Sequence, residues 1–275
     1  MASTELITFP AGVLSADPIR LPVLGRGVGW LALFKPAGVG LAPEALETGV
    51  GNIESALVSA IGARKPQLTA LGLTYAGHVH HLDFDASGVA IFATSAQDEA
   101  RMRNDWGSQR WEFVFDLLTE TGRSEGEKAV TCRLPLARHP AEPRMVVSHA
   151  GGRKCETAFA PVRSFGRWAC WEARTRENRP HQVRVHASES DLRISGENTY
   201  ECVGSVFLSE LKRKYRPGRD EERPLHPGLC LHLREVRFPG ESGRTESVTA
   251  ARPKSFSVLL RRLEGAGGGE RQLRI

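Results

Sequence analysis

The chain has 275 residues, 40% hydrophobic and 25% charged, and is long enough to bury a substantial core. Its formal net charge of +5 permits an anionic partner but does not demand one. The five cysteines are scattered without a C-x-x-C pair, which argues against a disulfide framework or a zinc ribbon and favours a reducing, cytoplasmic compartment. Neither a membrane-spanning apolar stretch nor a secretory signal is recognisable.

The first part of the chain predicts both strands and helices. Residues 1–28 are rich in proline and glycine and lack a helical period, so we expect an extended lead-in. The short apolar run at 30–34 predicts a strand, and so does the run at 89–94. Asparagine at the start of 52–64 and serine at the start of 95–106 are good N-caps, and each predicts a helix.

Strands dominate the rest of the chain. In 111–117 every second residue is apolar, and we expect these residues to share one face of a strand. Pro180 suits the first position of a short helix over 180–190, and a second helix is expected over 253–263. Many strands with few helices in mixed order indicate an α+β fold. Further strands are expected at 129–136, 143–147, 157–163, 167–174 and 229–238.

A candidate site lies in the turn at 80–88, H-H-L-D-F-D-A-S-G, directly before an apolar strand. A carboxylate in such a turn can reach a cleft while the strand behind it stays packed. Asp83 and Asp85 fit the D-x-D loop of haloacid-dehalogenase-type phosphotransferases, but the residues before them are too polar for a buried parallel strand. His78 and His80 have the spacing of metal ligands, but a zinc site needs three or four converging ligands. Asp83 could also simply cap the turn.

A second informative segment is 178–186, N-R-P-H-Q-V-R-V-H. A catalytic carboxylate must be ionised, and a neighbouring cation helps to keep it charged and in place. Arg184 could supply that cation if its helix faces Asp83, because a guanidinium stays protonated and can hold a carboxylate through two hydrogen bonds. On a helix Arg184 shares its face with His181 but not with Gln182. An ordinary surface ion pair of Arg184 is the alternative.

Positive charge is concentrated in two stretches. Six arginines lie between 163 and 184, with two glutamates among them, and a further basic run occupies 212–219. Such clusters suit the phosphate backbone of a nucleic acid, although a basic run is usually a solvated surface. Charge alone therefore leaves both interpretations open.

Several segments, taken together and in order, resemble those of the RluA-like pseudouridine synthases. Residues 35–38 (K-P-A-G) are similar to the family's opening K-P-x-G, and 80–88 to its catalytic loop H-R-L-D-x-x-T-S-G. Residues 178–186 are similar to G-R-T-H-Q-I-R-V-H and are followed by 194–200 (I-S-G-E-N-T-Y), similar to I-V-G-D-x-x-Y. The stretch 229–239 resembles the late strand L-x-L-H-A-x-x-L-x-F-P.

The resemblance implies a fold and a function. The expected fold is α+β, with a mixed, largely antiparallel sheet, flanking helices and a central basic catalytic cleft. The catalytic domain is expected at 29–264, between the lead-in and a flexible tail at 265–275. The implied activity is the isomerisation of specific uridines in ribosomal or transfer RNA to pseudouridine. Neither a metal nor an organic cofactor is implied, and the expected form is a cytoplasmic monomer whose partner is RNA.

The resemblance also implies roles for individual side chains. Asp83 would be the catalytic residue, acting on the ribose of a uridine turned out of its stack, and Arg184 would keep it charged and aimed. Phe113 matches the position of the family's active-site tyrosine and would stack on the uracil ring. The other expected substrate-binding residues are Lys35, His81, Arg179 and Gln182.

Some positions depart from the family pattern. His81 replaces an arginine, so a fixed positive charge is expected to become weak and pH-dependent. Ala86 replaces a threonine, and Phe113 lacks the tyrosine hydroxyl. Asn178 replaces a glycine, and asparagine is the next-best residue for a left-handed turn. These changes leave a second function open, that of a catalytically weak or inactive paralogue acting as an RNA-binding or assembly factor.

Overall fold

The structure is a computed structural model that describes residues 5–44, 46, 49–120, 128–212, 215–216 and 221–266. Within these residues no helix is both long enough and apolar enough to cross a membrane. Most of the predicted tail, residues 267–275, lies outside the described residues, and so do Arg213, Lys214 and 217–219 of the second basic run.

Short helices and many strands alternate along the described chain. The strands are β1 Leu6–Phe9, β2 Ile19–Gly27, β3 Trp30–Lys35, β4 Gly77–His78, β5 Ser87–Ala93, β6 Glu112–Glu120, β7 Val130–Cys132, β8 Leu136–Arg138, β9 Met145–Val147, β10 Thr157–Phe165, β11 Trp168–Thr175, β12 Arg193–Ile194, β13 Leu231–Pro239 and β14 Thr245–Thr249. The helices are α1 Ile53–Gly62, α2 Pro66–Ala70, α3 Ala96–Asn104, α4 Gln182–Ser188, α5 Leu208–Leu211 and α6 Lys254–Ala266.

One large sheet organises these elements. Its order is β1-β2-β3-β5-β13-β6-β11-β10-β7, with β4 paired to β5, β12 to β6 and β14 to β13. The hairpin of β8 and β9 stands apart from this sheet. Among the described strands, β5 and β13 run parallel, and the other pairs are antiparallel. The predicted mixed, largely antiparallel sheet is therefore confirmed.

The two predicted N-caps begin helices α1 and α3. Asn52 accepts a hydrogen bond through Oδ1 from the N–H of Ser55 at 2.9 Å. Ser95 accepts one through Oγ from the N–H of Asp98 at 3.0 Å. Each cap satisfies a backbone donor that the first turn of a helix leaves without an intrahelical partner.

The core lies on both faces of the sheet. Strand β6 runs between β13 and β11, and every residue from Phe113 to Thr119 is buried. Phe113 and Phe115 belong to the main core, whereas Leu118 belongs to a second cluster beneath α6. Burial on both faces explains why this strand reads as a nearly continuous apolar run.

The N-terminal segment is part of the sheet. Strand β1 pairs with β2, and β2 pairs with β3, while Ile7, Phe9 and Leu21 are almost completely buried. The predicted boundary between residues 28 and 29 therefore falls in the turn between two strands that pair with each other. The extended conformation expected for this segment is that of two core strands.

Two predicted elements differ in the structure. The stretch 129–136 is divided between β7 and β8, because Pro135 between them has no N–H for a strand ladder. The helix predicted from Pro180 begins at Gln182 instead. Its N-cap His181 has φ 53°, a left-handed backbone conformation that cannot belong to a right-handed helix.

Candidate active site

The Asp83 turn is fixed to the late strand β13. Ser87 donates a hydrogen bond from Oγ to Nδ1 of His232 at 2.9 Å. Gly88 has φ 141°, and a Cβ at this position would lie 2.2 Å from the carbonyl oxygen of Leu233. Only glycine allows the two strands to approach so closely. The serine and glycine of the motif therefore anchor the turn that carries the aspartate.

Lys35 lies beneath this turn and not in the cleft. Its side chain is fully buried, and Nζ donates to the carbonyl oxygens of Phe84 at 3.1 Å and Ala86 at 2.7 Å. A third hydrogen bond reaches the carbonyl oxygen of Pro36 at 3.1 Å. A buried ammonium needs such partners, and here they fix the backbone of the turn. The expected contact of Lys35 with substrate is not supported by this position.

The two carboxylate oxygens of Asp83 have different partners. Oδ1 accepts hydrogen bonds from Nε2 of His81 at 2.6 Å and from the backbone N–H of His181 at 3.1 Å. Oδ2 has a longer contact of 3.7 Å with Nη1 of Arg184. Burial alone would raise the pKa of this carboxyl, but the charges and hydrogen bonds of these three neighbours hold the pKa well below its usual value. Asp83 is therefore ionised at neutral pH.

His81 lies between two carboxylates. Nε2 contacts Asp83, and Nδ1 hydrogen-bonds to Oε1 of Glu44. Burial lowers the pKa of His81, but these two hydrogen bonds and the two negative charges raise it to about 10. The expectation of a weak charge is thus corrected, because at neutral pH the imidazole keeps both protons; its charge depends on pH only in the alkaline range. Sequence reasoning missed Glu44, which lies 37 residues earlier in a segment without a recognisable motif.

Arg184 is buried and held by Glu197. Its Nε and Nη2 donate to the two oxygens of Glu197 at 2.7 and 2.8 Å, and Nη2 also donates to Oγ1 of Thr199 at 2.9 Å. The expected proximity of Arg184 and Asp83 is found, but the residue held through two hydrogen bonds is Glu197. Backbone N–H groups of residues 198–200 bind the same carboxylate. Glu197 therefore sets the direction in which the guanidinium faces Asp83.

The chain before α4 approaches the aspartate turn through its backbone and an amide. His181 provides the N–H for Asp83, and its ring hydrogen-bonds to the hydroxyl of Tyr200 at 2.7 Å. Burial lowers the pKa of His181. Asn178 does not have the positive φ expected from its replacement of a glycine. Its side-chain amide instead donates to the carbonyl oxygen of His81, which links the two motifs.

Gln182 is almost fully buried, and its amide is used within the fold. Nε2 donates to Oγ1 of Thr175 at 2.8 Å and to Oγ1 of Thr157 at 3.1 Å. Oε1 accepts from the backbone N–H of Arg179 at 3.2 Å. These bonds attach the start of α4 to β10 and β11. The expected role of Gln182 in binding substrate is therefore not supported by its hydrogen bonds, although the residue lines the cavity beside Asp83.

Two cavities meet at Arg179. The smaller, about 10 Å³, lies against Asp83 and is also lined by Phe115. The larger, about 520 Å³, lies between the β8–β9 hairpin and the segment around Glu44. This cleft is basic, as expected. The arginines that line it are Arg138, Arg153 and Arg179.

Phe113 is not the aromatic residue that faces the small cavity. Its side chain is fully buried and stacks on Trp111, with ring centroids 5.8 Å apart and planes at 15°. On its other side it packs against the ring of His80 at 5.5 Å. Phe115, two residues further along the same face of β6, lines the cavity beside Asp83. The geometry therefore gives Phe115 the position beside the carboxylate that was expected for Phe113.

The six arginines between 163 and 184 do not converge on the cleft. Arg163 forms an ion pair with Glu264 of α6 at 2.6 Å, and Arg174 pairs with Glu112 of β6 at 3.3 Å in addition to Glu172 of its own strand. Carboxylates from other elements thus neutralise charges that look uncompensated in the sequence. Within this set, Arg179 is the residue that lines the cleft.

The two histidines considered as metal ligands contact different parts of the fold. Nδ1 of His78 lies 3.0 Å from Oε1 of Glu54, whereas Nε2 of His80 accepts from the N–H of Ile91 at 3.1 Å. Among the residues that the structure describes, no three or more His, Cys, Asp or Glu side chains are grouped to hold a metal ion. Both histidines stabilise the surroundings of the Asp83 turn.

This fold and this arrangement of motifs define a class of protein. The family model described as RNA pseudouridylate synthase matches residues 29–189, which is more than half of the chain. The chain belongs to the RNA pseudouridylate synthase family, and its motifs are those of the RluA-like members. The family expected from the motifs is thereby confirmed.

Relatives in bacteria carry related names. An uncharacterized RNA pseudouridine synthase of Chloroflexus aurantiacus is 28% identical over 235 residues, which is 84% of this chain and 65% of that protein. The ribosomal large subunit pseudouridine synthase D of Xanthomonas campestris is 30% identical over 187 residues, 66% of this chain and 52% of that protein. The chain thus spans between half and two thirds of the length of these two relatives.

Two solved human structures share the fold. RNA Pseudouridylate Synthase Domain Containing 4 matches with a TM-score of 0.65 and 17% identity, over 88% of this chain and 92% of that one. RNA Pseudouridylate Synthase Domain Containing 1 matches with a TM-score of 0.60 and 19% identity, over 93% and 90%. At this level of identity the likeness concerns the fold, and it confirms the predicted α+β pseudouridine synthase architecture.

Proposed function

We propose that this protein isomerises specific uridines in ribosomal or transfer RNA to pseudouridine, with Asp83 as the catalytic residue. The proposal rests on the buried, ionised carboxylate of Asp83, whose two oxygens have different partners. Oδ1 has two close donors, and Oδ2 has the longer contact of 3.7 Å with Arg184. Oδ2 is therefore the oxygen that acts on the ribose.

The proposed reaction follows from this arrangement. The target uridine leaves its stack at a cost of a few kcal/mol, and its base packs against Phe115. Oδ2 of Asp83 either attacks C1′ or removes the proton from C2′, and the base detaches. The base then rotates in place, and C5 bonds to C1′ as the bond from Oδ2 to C1′ breaks or, in the second route, as C2′ takes back the proton held by Oδ2. The C5 proton leaves, and N1 gains a proton. Arg184 keeps the carboxylate charged and aimed before the reaction and again when the carboxylate is released.

Entry of the base requires a movement at Arg179. The cavity beside Asp83, at about 10 Å³, has room for about one water molecule and none for a uracil ring. Arg179 separates this cavity from the large cleft and is held by the carbonyl oxygen of Lys154 at 2.9 Å. We propose that RNA phosphates in the cleft draw the guanidinium away from Lys154 and open the site.

The decisive experiment compares Asp83→Asn with Asp85→Asn. Pseudouridine is measured in ribosomal and transfer RNA from cells lacking the protein, after incubation with each purified variant. Asp83→Asn should lower the rate by roughly a thousandfold or more, because asparagine is neither nucleophile nor base. Asp85 is the matched control, since its side chain is 45% exposed and lies 3.8 Å from Arg184. We expect Asp85→Asn to retain most of the activity.

RNA binding is measured on the same variants. Near wild-type activity of Asp83→Asn would contradict the assignment of this residue. Equal losses in both variants would favour the D-x-D interpretation. RNA that is bound but left unmodified by the wild-type protein would identify an RNA-binding or assembly factor instead of an enzyme.

A further inference from the structure

Glu44, His81 and Asp83 form a line of carboxylate, imidazole and carboxylate beside the reacting oxygen. Nε2 of His81 is 2.6 Å from Oδ1 of Asp83, and Nδ1 contacts Oε1 of Glu44. A neutral imidazole has one N–H and one lone pair, so it can donate to only one of these carboxylates. The lone pair would then face the oxygen of the other. As long as both carboxylates are ionised, the two contacts are favourable only when both ring nitrogens carry a proton.

We propose that Glu44 is a positioning residue that keeps His81 doubly protonated, so that His81 holds Oδ1 of Asp83 and leaves Oδ2 to react. The inference rests on the proposed function, which assigns the reaction to Asp83. In the described part of the structure Glu44 contacts Nδ1 of His81, and it acts on the reacting carboxylate through that ring. Because a histidine occupies the position of the family's arginine, this chain needs a second carboxylate to keep the charge fixed.

The charges around His81 favour this role. Glu44 and Asp83 supply negative charge on its two sides, at 18% and 8% side-chain exposure. His80 and His181 are the other titratable neighbours, and burial together with the charge of His81 lowers the pKa of each. They are therefore neutral at pH 7 and do not compete with the His81 charge. Arg184 faces the other oxygen of Asp83 and leaves the Oδ1 side to His81.

Removing the charge of Glu44 should move the titration of His81 towards neutral pH. The folded-state pKa of His81 is raised to about 10, so the proton is retained below that pH and lost above it. An opposite charge at contact distance shifts a pKa by about 1 to 3 units. In Glu44→Gln the pH above which activity is lost should therefore be lower than in the wild type by the same 1 to 3 units. Below pH 6 the single-turnover rates of variant and wild type should converge.

A double variant separates charge from shape. An arginine at position 81 keeps its charge at every pH used, so Glu44→Gln combined with His81→Arg should again have a flat profile between pH 7 and 9. The matched control is Glu54→Gln, which removes a similar glutamate–histidine contact, 3.0 Å from His78. In that control we expect activity to be lost at the same alkaline pH as in the wild type.

A measurement independent of RNA decides the inference even when no product forms. Nitrogen NMR of histidine-labelled protein reports the protonation of each ring, and the His81 signal is assigned by its loss in His81→Arg. At pH 9.5 both His81 nitrogens should be protonated in most wild-type molecules, and only one in most Glu44→Gln molecules. A neutral His81 in the wild type, or the same titration in both proteins, would overturn the role of Glu44. Protonation as expected with no pseudouridine formed would refute the proposed function alone.

Discussion

The buried pair of Arg184 and Glu197 gives the sharpest test of the site as a structural unit. The two side chains are 2% and 3% exposed and share two hydrogen bonds of 2.7 and 2.8 Å. Glu197→Gln keeps the shape of the acid but leaves the guanidinium without its main countercharge. Removing one partner of a buried pair costs about 3–5 kcal/mol, because the other charge stays buried and uncompensated.

This loss translates into a measurable shift of the unfolding temperature. For a chain somewhat below this length, 1 kcal/mol corresponds to a shift of about 2–4 °C. Glu197→Gln should therefore unfold roughly 6–20 °C below the wild type in a thermal melt at pH 7. The matched control is Glu264→Gln, whose partner Arg163 forms an ion pair at 29% and 38% exposure. A surface pair of this kind is worth at most about 1 kcal/mol.

The comparison has a clear negative outcome. Equal melting temperatures for Glu197→Gln and Glu264→Gln would show that the buried pair does not stabilise the fold as argued. A stable Glu197→Gln protein with full activity would also refute the view that Glu197 aims Arg184 at Asp83.

Three further results are expected. Lys35→Met should lower the free energy of unfolding by about 2 kcal/mol or more in urea titrations, because it leaves buried carbonyl oxygens without a donor; unchanged stability would remove Lys35 as the support of the turn. Phe115→Leu should lower the single-turnover rate more than Phe113→Leu does, and the reverse order would return the stacking role to Phe113. Replacing Arg138 and Arg153 by alanine should flatten the slope of the log binding constant against log salt concentration by about 1.4–1.8 if both arginines contact phosphates. An unchanged slope would mean that the RNA binds to another surface.

The sequence was most informative where the residue types of a motif indicate a chemical role. Asp83 and Arg184 could be singled out, and the structure places them 3.7 Å apart although about a hundred residues separate them. Strands β3, β5, β6, β10, β11 and β13 could be predicted because apolar runs bounded by turn residues indicate them locally, whereas β1, β2 and β14 were not predicted. Helix caps at Asn52 and Ser95 were equally local and were confirmed.

Long-range partners could not be predicted in the same way. Glu44 decides the charge state of His81, yet nothing in its neighbouring residues indicates this role. Glu197 lies in the motif at 194–200, but the motif alone does not show that its carboxylate sets the direction of Arg184. The sequence likewise does not show whether Phe113 or Phe115 faces the cavity. Both side chains lie on the same side of β6, and both faces of this strand are buried. Such contacts depend on which distant segments the sheet order brings together.

The parallel pairing of β5 and β13 has a consequence for synthesis of the protein. Ser87 and His232 are joined by a hydrogen bond across 145 residues of chain. During translation the aspartate turn leaves the ribosome long before β13 is made, and contacts between distant segments form late because the intervening loop must first close. We therefore expect the nascent chain to hold an unanchored turn and to acquire its active geometry only once β13 has been inserted. A message truncated before residue 231 would yield most of the motifs without the strand that holds them.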